Sequence, residues 1–260
     1  MNQINELPFD SVLFEELISL MWKASDAILE VYRSGELNTK TKGDESPVTQ
    51  ADLAAHHVLV NGLSQLTPNI PVVSEEDPSS LQIPESHQRY WLIDPLDGTK
   101  EFINRNDEFT CNLALIDSHQ TIYGFVSVPV LDLLYRGGSN HGAYRVNRAG
   151  SETQIQCQRQ TSPTRVIASK SHLNPETTAF IKAIQTPVEL IQAGSSLKFL
   201  RIAEGLADIY PRLAPTCEWD TAAAQAILEG AGGSVKKTDG SPVTYGKSEI
   251  LNPHFIAAAL

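Results

Sequence analysis

The sequence is poor in cysteine and has no cysteine pair of the kind that binds zinc or forms a redox site. Its three cysteines, Cys111, Cys157 and Cys217, are odd in number and widely spaced, with no Cys-x-x-Cys motif. This pattern is not that of a disulfide-stabilised protein, and it indicates a reducing compartment. We expect the three thiols to behave as small, half-buried apolar side chains.

The chain also has few basic residues and no long apolar run. Twenty lysines and arginines stand against 31 aspartates and glutamates, which gives a formal net charge of −11. So acidic a chain is not expected to bind nucleic acid through a general basic surface, although a local basic pocket for a small anion stays open. No apolar run approaches bilayer length, and MNQINELPFD at the N terminus has no basic region followed by an apolar one. We therefore expect neither an integral membrane segment nor a signal peptide.

What is present is an ordinary globular composition over 260 residues, 41% of them hydrophobic and 20% charged. That length suits one large domain or two small domains that share a core. The pattern predicts a helix from about residue 11 to residue 33. A second helix is predicted from Thr49 to about residue 66, because Thr49 and Asp52 have capping-box spacing. The polar segment between these helices is predicted to be a loop or a hairpin.

Strands dominate the middle of the chain. Apolar residues at 91–93 predict a buried strand that Pro95 ends, because proline has no N–H for the strand ladder. Further strands are predicted at 72–74, 110–116, 121–130, 133–135 and 143–146, and a polar crossover at 148–161. From residue 164 the pattern alternates between strands (165–169, 188–192 and 208–210) and helices (from Asn174, from Ser195 or Ser196, and over 219–229). This alternation indicates α/β layering in the second half.

The stretch WLIDPLDGTKEF at 91–102 places two acids at a strand end. Asp94 follows the apolar run, and Asp97 comes three residues later, before Gly98 and Thr99. Hard divalent cations such as Mg²⁺ prefer oxygen ligands of this kind. The alternative interpretation of the stretch is a surface turn rich in Asp, Pro and Gly.

Three further acids lie at the ends of predicted elements. Asp52 and Asp220 are expected in first helical turns, where the helix dipole favours a negative group, and Glu75 follows a short strand. Five converging carboxylates would raise each other's pKa unless cations lay among them. Convergence would therefore indicate two or more Mg²⁺ ions, which can clamp the two oxygens of an in-line displacement at phosphorus. The sequence alone leaves open that these acids are separate, solvated surface groups.

Several motifs together resemble a known family. The motifs EE at 75–76, DPLDGT at 94–99 and WDTAA at 219–223 resemble the lithium-sensitive, Mg²⁺-dependent inositol monophosphatase superfamily, in matching order over nearly the whole chain. The motifs SPVTQAD at 46–52, DGTKEF at 97–102, GSSLKF at 194–199 and YPRLAPT at 210–216 resemble its 3'(2'),5'-bisphosphate nucleotidase branch. One departure is SEED at 74–77, where many members have GEES, but the first Glu is kept.

The resemblance implies a layered α-β-α-β-α sugar-phosphatase fold of the α/β (α+β) class. It divides the chain into a metal-binding N-terminal α+β half over 1–155 and a substrate-selecting C-terminal α/β half over 156–260, within one catalytic unit. By matching position, Glu75 and Asp94 would bind a first Mg²⁺ with the Leu96 carbonyl, and Asp94, Asp97 and Asp220 a second. A third, weaker ion would use Glu75 and water.

The resemblance also implies which residues meet the substrate. Asp52 and Thr99 would form the dyad that takes a proton from the nucleophilic water. The N–H groups of Gly98 and Thr99 would hold the scissile phosphate, beside the metal ligands. A second group would grip the nucleoside and its remaining phosphate: His172, Ser195, Lys198 and Arg212. The alternatives are ordinary surface charge for the two cations and a loop or capping role for His172.

The implied activity is hydrolysis of the 3'-phosphate of adenosine 3',5'-bisphosphate to AMP and phosphate, in support of sulfate assimilation. The sulfated precursor 3'-phosphoadenylyl sulfate is a further implied substrate, and Li⁺ an implied inhibitor. The alternatives are inositol-phosphate or fructose-1,6-bisphosphate hydrolysis on the same metal core, or a non-catalytic nucleotide-binding protein. Lys100, Glu101 and Lys198 argue against the first of these. A monomer or homodimer is expected in the cytoplasm, with peripheral attachment to the inner membrane as the alternative location.

Overall fold

In the computed structural model, two β-sheets with helices between and outside them form the fold. The structure describes residues 7–35, 39–41, 47–81, 88–170 and 173–260. The helices are α1 (Ser11–Ser34), α2 (Gln50–Leu66), α3 (Thr99–Ile103), α4 (Pro175–Lys182), α5 (Leu197–Ala203) and α6 (Ala222–Gly230). The strands are β1 (Lys40–Thr41), β2 (Pro47–Val48), β3 (Val72–Ser74), β4 (Arg89–Asp97), β5 (Thr110–Asp117), β6 (Gln120–Val128), β7 (Leu133–Gly138), β8 (Gly142–Asn147), β9 (Glu152–Ile155), β10 (Thr164–Ser169), β11 (Val188–Ala193), β12 (Ile209–Arg212), β13 (Gly233–Lys237) and β14 (Phe255–Ala259).

The two large sheets divide the chain by sequence. The first has seven strands in the order β3 to β9, with β3 parallel to β4 and every other neighbour antiparallel. The second has five strands in the order β11-β10-β12-β14-β13, in which β10 runs parallel to both its neighbours. The strands β1 and β2 form an antiparallel pair, as predicted for a hairpin. The predicted mixed α/β class is confirmed, while the division at residues 155 and 156 stays a prediction.

Both faces of the seven-stranded sheet are covered, which explains its nearly continuous apolar strands. On β4, Trp91 and Ile93 belong to the core shared with α1 and α2, whereas Tyr90 and Leu92 belong to the core shared with α5, α6 and the second sheet. Side chains alternate between faces along a strand, so a strand with two buried faces has no polar alternation. The sheet is thus clamped between two helical layers.

Side chains cap the first two helices, and the capping box predicted at Thr49 and Asp52 is present. Asp10 accepts a hydrogen bond from the backbone N–H of Leu13 at the start of α1. Thr49 and Asp52 form a reciprocal capping box at the start of α2. Because both side chains bond the helix backbone, the position of Asp52 is fixed by local structure. None of the described helices is long and apolar enough to cross a membrane.

The prediction that Pro95 ends the central strand is wrong. Strand β4 continues to Asp97, and the pairing with β5 shifts from Asp94–Asn112 to Asp97–Thr110. The shift places one extra residue in β4, which is a bulge. Proline is tolerated there because the ladder is already interrupted. The bulge therefore re-aims the two acids that flank it.

The predicted start of the last helix is also wrong. Helix α6 begins at Ala222 after Thr221, so Asp220 precedes the helix and is not in its first turn. The Asp220 carboxylate accepts from the backbone N–H of Cys217, a local bond that competes with helix formation. Asp220 thus lies on a tight turn, where the backbone N–H of Cys217 fixes its carboxylate.

Three strands of the structure were not predicted from the sequence. The segment predicted as a crossover contains β9, and no strand was predicted after residue 232, where β13 and β14 lie. Strand β14 is rich in alanine, which has low β propensity, yet it pairs on both edges with β12 and β13. Tertiary packing decides its conformation.

Candidate active site

Three carboxylates from distant parts of the chain meet beside the β4 bulge. Oxygen atoms of Asp94, Asp97 and Asp220 all lie within 4.8 Å of one another. Asp94 is buried, and the other two are partly exposed. The bulge of β4 supplies two of these groups and the turn before α6 supplies the third, so folding brings together residues more than a hundred positions apart.

Glu75 joins this cluster from the end of β3. Its backbone N–H donates to the carbonyl oxygen of Ile93 at 3.3 Å, which extends the β3–β4 pairing by one residue. Its side chain hydrogen-bonds Asp94, and its charge acts on both Asp94 and Asp220. Four of the five predicted acids are therefore electrostatically coupled.

The pKa values of this cluster show uncompensated negative charge. Burial, followed by the charges of Glu75, Asp97 and Asp220, raises the pKa of Asp94 well above its usual value. Burial also raises the pKa of Asp97, and burial together with Asp97 and Glu75 raises the pKa of Asp220 to about 8. Such a group of carboxylates is stable in its ionised form only when cations lie among them.

The fifth acid, Asp52, forms a pair with Thr99. The Thr99 hydroxyl lies 3.2 Å from Asp52 Oδ1 and 3.4 Å from the Leu96 carbonyl oxygen. Asp52 Oδ2 accepts from the N–H of Thr49 at 2.7 Å and from its hydroxyl at 2.6 Å, so the carboxylate is held on both sides. Burial raises the pKa of Asp52 to about 6. That value suits a group that accepts a proton near neutral pH.

Gly98 and Ser195 lie next to each other in the wall of one cavity. Gly98 has φ of 93°, and a Cβ placed on it would lie 3.3 Å from the Ser195 Cβ and 3.1 Å from the Glu108 carbonyl oxygen. Only glycine combines this conformation with so close an approach. Ser195 itself has φ of 44°, and its hydroxyl is buried without a hydrogen-bond partner among the described residues.

Two cations lie near the acids. Lys198, on α5, is 5% exposed, and its ammonium donates to the carbonyl oxygens of Ser195 and Ala193. Burial lowers the pKa of Lys198 to about 8, although the Asp97 carboxylate opposes this shift. Arg212 ends β12, and its guanidinium donates to the carbonyl oxygens of Ala214 and Pro215. Both residues are oriented by backbone carbonyls.

One cavity of about 270 Å³ contains most of the predicted site. It is lined by these predicted residues: Glu75, Asp97, Gly98, Thr99, Ser195, Lys198, Arg212 and Asp220. Asp52, Asp94 and Leu96 lie directly behind this lining, as their contacts with Thr99 and with the acidic cluster show. His172 lies outside the described residues. Folding thus gathers the described predicted residues at one place.

Several residues that line the cavity were not predicted from the sequence. Pro47, Ser169, Phe199, Tyr210 and Thr216 also face the cavity. Four of them lie within motifs already quoted, but their residue types alone give no signal of a site. Buried aromatic residues such as Phe199 and Tyr210 are indistinguishable in sequence from ordinary core.

The donor atoms fit a hard divalent cation. They are carboxylate oxygens together with the Leu96 carbonyl oxygen, which are the ligands that Mg²⁺ accepts. No cysteine or histidine belongs to the cluster among the described residues, so soft-metal coordination is not favoured there. The raised pKa values point the same way, because a bound cation would compensate the charge that raises them.

Comparison with known proteins identifies the class. The family model described as the inositol monophosphatase family matches residues 10–259. The chain therefore belongs to the inositol monophosphatase family, whose members are metal-dependent.

Individual relatives show which members of this family the chain resembles. The chain is 44% identical over 245 residues to the 3'(2'),5'-bisphosphate nucleotidase CysQ of Escherichia coli O157:H7, covering 94% of this chain and 98% of that protein. The corresponding CysQ of Salmonella typhimurium is also 44% identical, with the same coverage. The crystal structure of CysQ from Bacteroides thetaiotaomicron superposes with a TM-score of 0.86 at 37% identity, covering 98% of this chain and 99% of that one. An inositol monophosphatase from Thermotoga maritima, with a TM-score of 0.76 at 23% identity, shares the fold.

Proposed function

We propose that this protein is a Mg²⁺-dependent phosphatase that removes the 3'-phosphate of adenosine 3',5'-bisphosphate and releases AMP and phosphate. One observation carries the proposal: one cavity is lined both by acids of the cluster and by two cations, Lys198 and Arg212. A substrate with two phosphates needs a cleavage site and a separate anion site, and this cavity offers both. The CysQ relatives, which are bisphosphate nucleotidases, support the same substrate class.

The acidic cluster is the proposed metal site. Glu75, Asp94 and the Leu96 carbonyl would hold one Mg²⁺ ion, and Asp94, Asp97 and Asp220 a second, with a third and weaker position at Glu75. Bound Mg²⁺ supplies electrostatic stabilisation of the charge that develops on the phosphoryl and leaving oxygens. The carboxylates hold their relative positions through the β4 bulge and the turn before α6.

Proton removal is assigned to the dyad of Asp52 and Thr99. As the attacking water bonds phosphorus, it gives a proton to Thr99 Oγ, and the Thr99 hydroxyl passes its own proton to Asp52 Oδ1. The bond between phosphorus and O3' breaks, and O3' takes up a proton from solvent. The 3.2 Å contact between the Thr99 hydroxyl and Asp52 supports this relay. The N–H groups of Gly98 and Thr99 are assigned to the phosphate that is cleaved.

Substrate selection is assigned to the second half of the chain. An ammonium has three N–H donors, and the described contacts of Lys198 use two, so one is left for an anion. Arg212 likewise has donors beyond the two that hold it in place, and its planar fork suits phosphate. Together with Ser195 and His172, these cations would grip the nucleoside and the remaining phosphate. The sulfated precursor 3'-phosphoadenylyl sulfate fits the same assignment.

The cellular setting follows from the reaction. We place the protein in sulfate assimilation, where it would remove the adenosine bisphosphate by-product, as a cytoplasmic monomer or homodimer. Peripheral membrane attachment gains no support from the described residues.

A panel of substrates tests the proposal. Phosphate release from adenosine 3',5'-bisphosphate, inositol 1-phosphate and fructose 1,6-bisphosphate is measured with Mg²⁺, with and without Li⁺. We expect the highest kcat/KM for the nucleotide, and inhibition by Li⁺. Faster turnover of inositol 1-phosphate would contradict the substrate assignment, and no release from any substrate would contradict the enzyme.

A further inference from the structure

Ser196 begins a helix, but its hydroxyl does not cap that helix. Serine is favoured at this position because its oxygen normally accepts a hydrogen bond from the first-turn N–H groups. In this structure Ser196 precedes α5 with helical backbone angles of φ −67° and ψ −7°, and its side chain makes no capping bond. The hydroxyl is therefore used for something other than local helix stability.

The Ser196 hydroxyl instead joins two distant segments that carry acidic residues. It accepts from the Asn112 side-chain amide at 3.0 Å and donates to the Asp220 backbone carbonyl at 3.0 Å. Asn112 lies on β5, directly opposite Asp94 in the ladder. A single hydroxyl thus connects the bulged strand pair of the first sheet to the turn that holds Asp220.

The same residues also lie beside the Asp97 carboxylate. The polar groups of Ser196 and Asn112 lower the pKa of Asp97 and so oppose the effect of burial, while the Thr110 hydroxyl donates to the carboxylate at 3.4 Å. Ser196 and Asn112 are each 1% exposed. Buried hydrogen bonds of this kind have few alternatives in solvent, so they define geometry more strictly than surface contacts do.

The Ser196 link lies directly between the segments that carry Asp97 and Asp220, and it adds to the packing of α6 against the first sheet. Asp97 ends β4, whereas Asp220 lies on a turn more than a hundred residues later, and their carboxylates repel each other. Residues behind a metal ligand orient it, and their loss typically weakens metal binding by about 10- to 100-fold.

We propose that Ser196 and Asn112 are positioning residues that hold Asp97 and Asp220 at the spacing a shared divalent cation requires. They do not touch the cation or the substrate, and they act through the ligands. This inference rests on the proposed function only in taking the acidic cluster as the metal site.

The test measures Mg²⁺ binding directly, by calorimetric titration of the full chain without substrate. The variants are Ser196→Ala, Asn112→Ala and the double variant. Ser25→Ala is the matched control, because Ser25 is a fully buried serine whose hydroxyl bonds Ser127 in the other core. Melting temperatures and far-ultraviolet circular dichroism establish that each variant is folded.

We expect Ser196→Ala and Asn112→Ala each to weaken Mg²⁺ binding about tenfold. The double variant should lose little more than either single variant, because both residues belong to one chain of hydrogen bonds. Ser25→Ala should lower the melting temperature without changing Mg²⁺ affinity. At saturating Mg²⁺, the KM for adenosine 3',5'-bisphosphate should stay within about twofold of wild type in Ser196→Ala.

Wild-type Mg²⁺ affinity in both folded single variants would overturn the inference, even if the bisphosphate is hydrolysed as proposed. Equal weakening by Ser25→Ala would also overturn it, because the effect would then follow stability alone. Weakened Mg²⁺ binding in a chain that hydrolyses no bisphosphate would support the positioning role and contradict only the proposed substrate. If either of the two variants does not fold, the other decides alone.

Discussion

At the scale of single residues, we expect the charge of Asp97 to matter more than its shape. Its carboxylate lies within 4.8 Å of the carboxylates of Asp94 and Asp220 and faces the cavity. An amide of the same size would keep the packing and remove one negative charge from the proposed cation site. We therefore expect that the charge of the cluster can be changed without disturbing the fold.

We predict that Asp97→Asn lowers kcat at least about a hundredfold, because a ligand charge is lost. Phosphate release at saturating Mg²⁺ and nucleotide measures the effect. Asp239→Asn is the control, since Asp239 lies in an exposed turn where it bonds Ser241. Near-normal turnover of Asp97→Asn would contradict the site.

The dyad of Asp52 and Thr99 makes a second prediction, for pH dependence. The pKa of Asp52 is raised to about 6, and the carboxyl can accept a proton only when it is ionised. We therefore expect kcat to be constant above about pH 7 and to fall about tenfold per pH unit well below pH 6.

Thr99→Val separates the dyad from the metal site. It removes the hydroxyl that contacts Asp52 and leaves every proposed carboxylate ligand in place. We expect kcat to fall while Mg²⁺ affinity is kept. An unchanged acid limb of the pH profile in Asp52→Asn would exclude Asp52 as the proton acceptor.

At the scale of elements, the turn from β4 into α3 sets the shape of the site. Gly98 adopts a positive φ there, and a Cβ placed on it would lie close to Ser195 and the Glu108 carbonyl. Gly240 has a similar φ of 85°, but a Cβ on it would meet no atom within 4 Å. These two glycines share the conformation and differ in crowding.

We predict that Gly98→Ala and Gly240→Ala each cost about 1–2 kcal/mol of unfolding free energy, the strain of a left-handed alanine. Only Gly98→Ala should also lower kcat/KM, by about tenfold or more, because the added methyl group moves the cavity wall. Chemical denaturation and phosphate release measure the two effects. Equal activity in both variants would show that the close packing of Gly98 against Ser195 and Glu108 does not affect catalysis.

The elements that the sequence predicted correctly are those with local signals. The capping box of Thr49 and Asp52 is complete within four residues, so α2 and the orientation of Asp52 could be inferred without tertiary information. The β4 bulge could not, because it depends on pairing with β5 on another segment. Motifs gave the predicted site residues, and those that the structure describes lie close together. The roles proposed for Asn112 and Ser196 have no sequence signal, since they depend on how distant segments pack together.

At the scale of the whole molecule, the acidic cluster couples stability to pH and to cations. Asp220 has a pKa raised to about 8 in the folded chain and an ordinary carboxyl pKa when unfolded. The folded state therefore binds more protons between about pH 4 and pH 8. The stability this group contributes is present at low pH and is lost as the pH rises through 8.

We predict that the melting temperature in EDTA falls by at least about 4 °C between pH 5.5 and pH 8.5. Mg²⁺ should restore most of this loss, and its stabilising effect should be larger at the higher pH, because the cation replaces the bound protons. In Asp220→Asn the fall should be clearly smaller. A melting temperature independent of both pH and Mg²⁺ would mean that the cluster is not a cation site.

We infer that Asp94, Asp97 and Asp220 meet at a place where they share divalent cations. A crystal grown with Mn²⁺ in place of Mg²⁺ tests it most directly, because the anomalous signal of manganese locates each ion. We predict at least two peaks in the cavity, one of them within bonding distance of all three carboxylates. A cavity without an anomalous peak, or peaks bound only by other residues, would show that these three acids do not form a shared cation site.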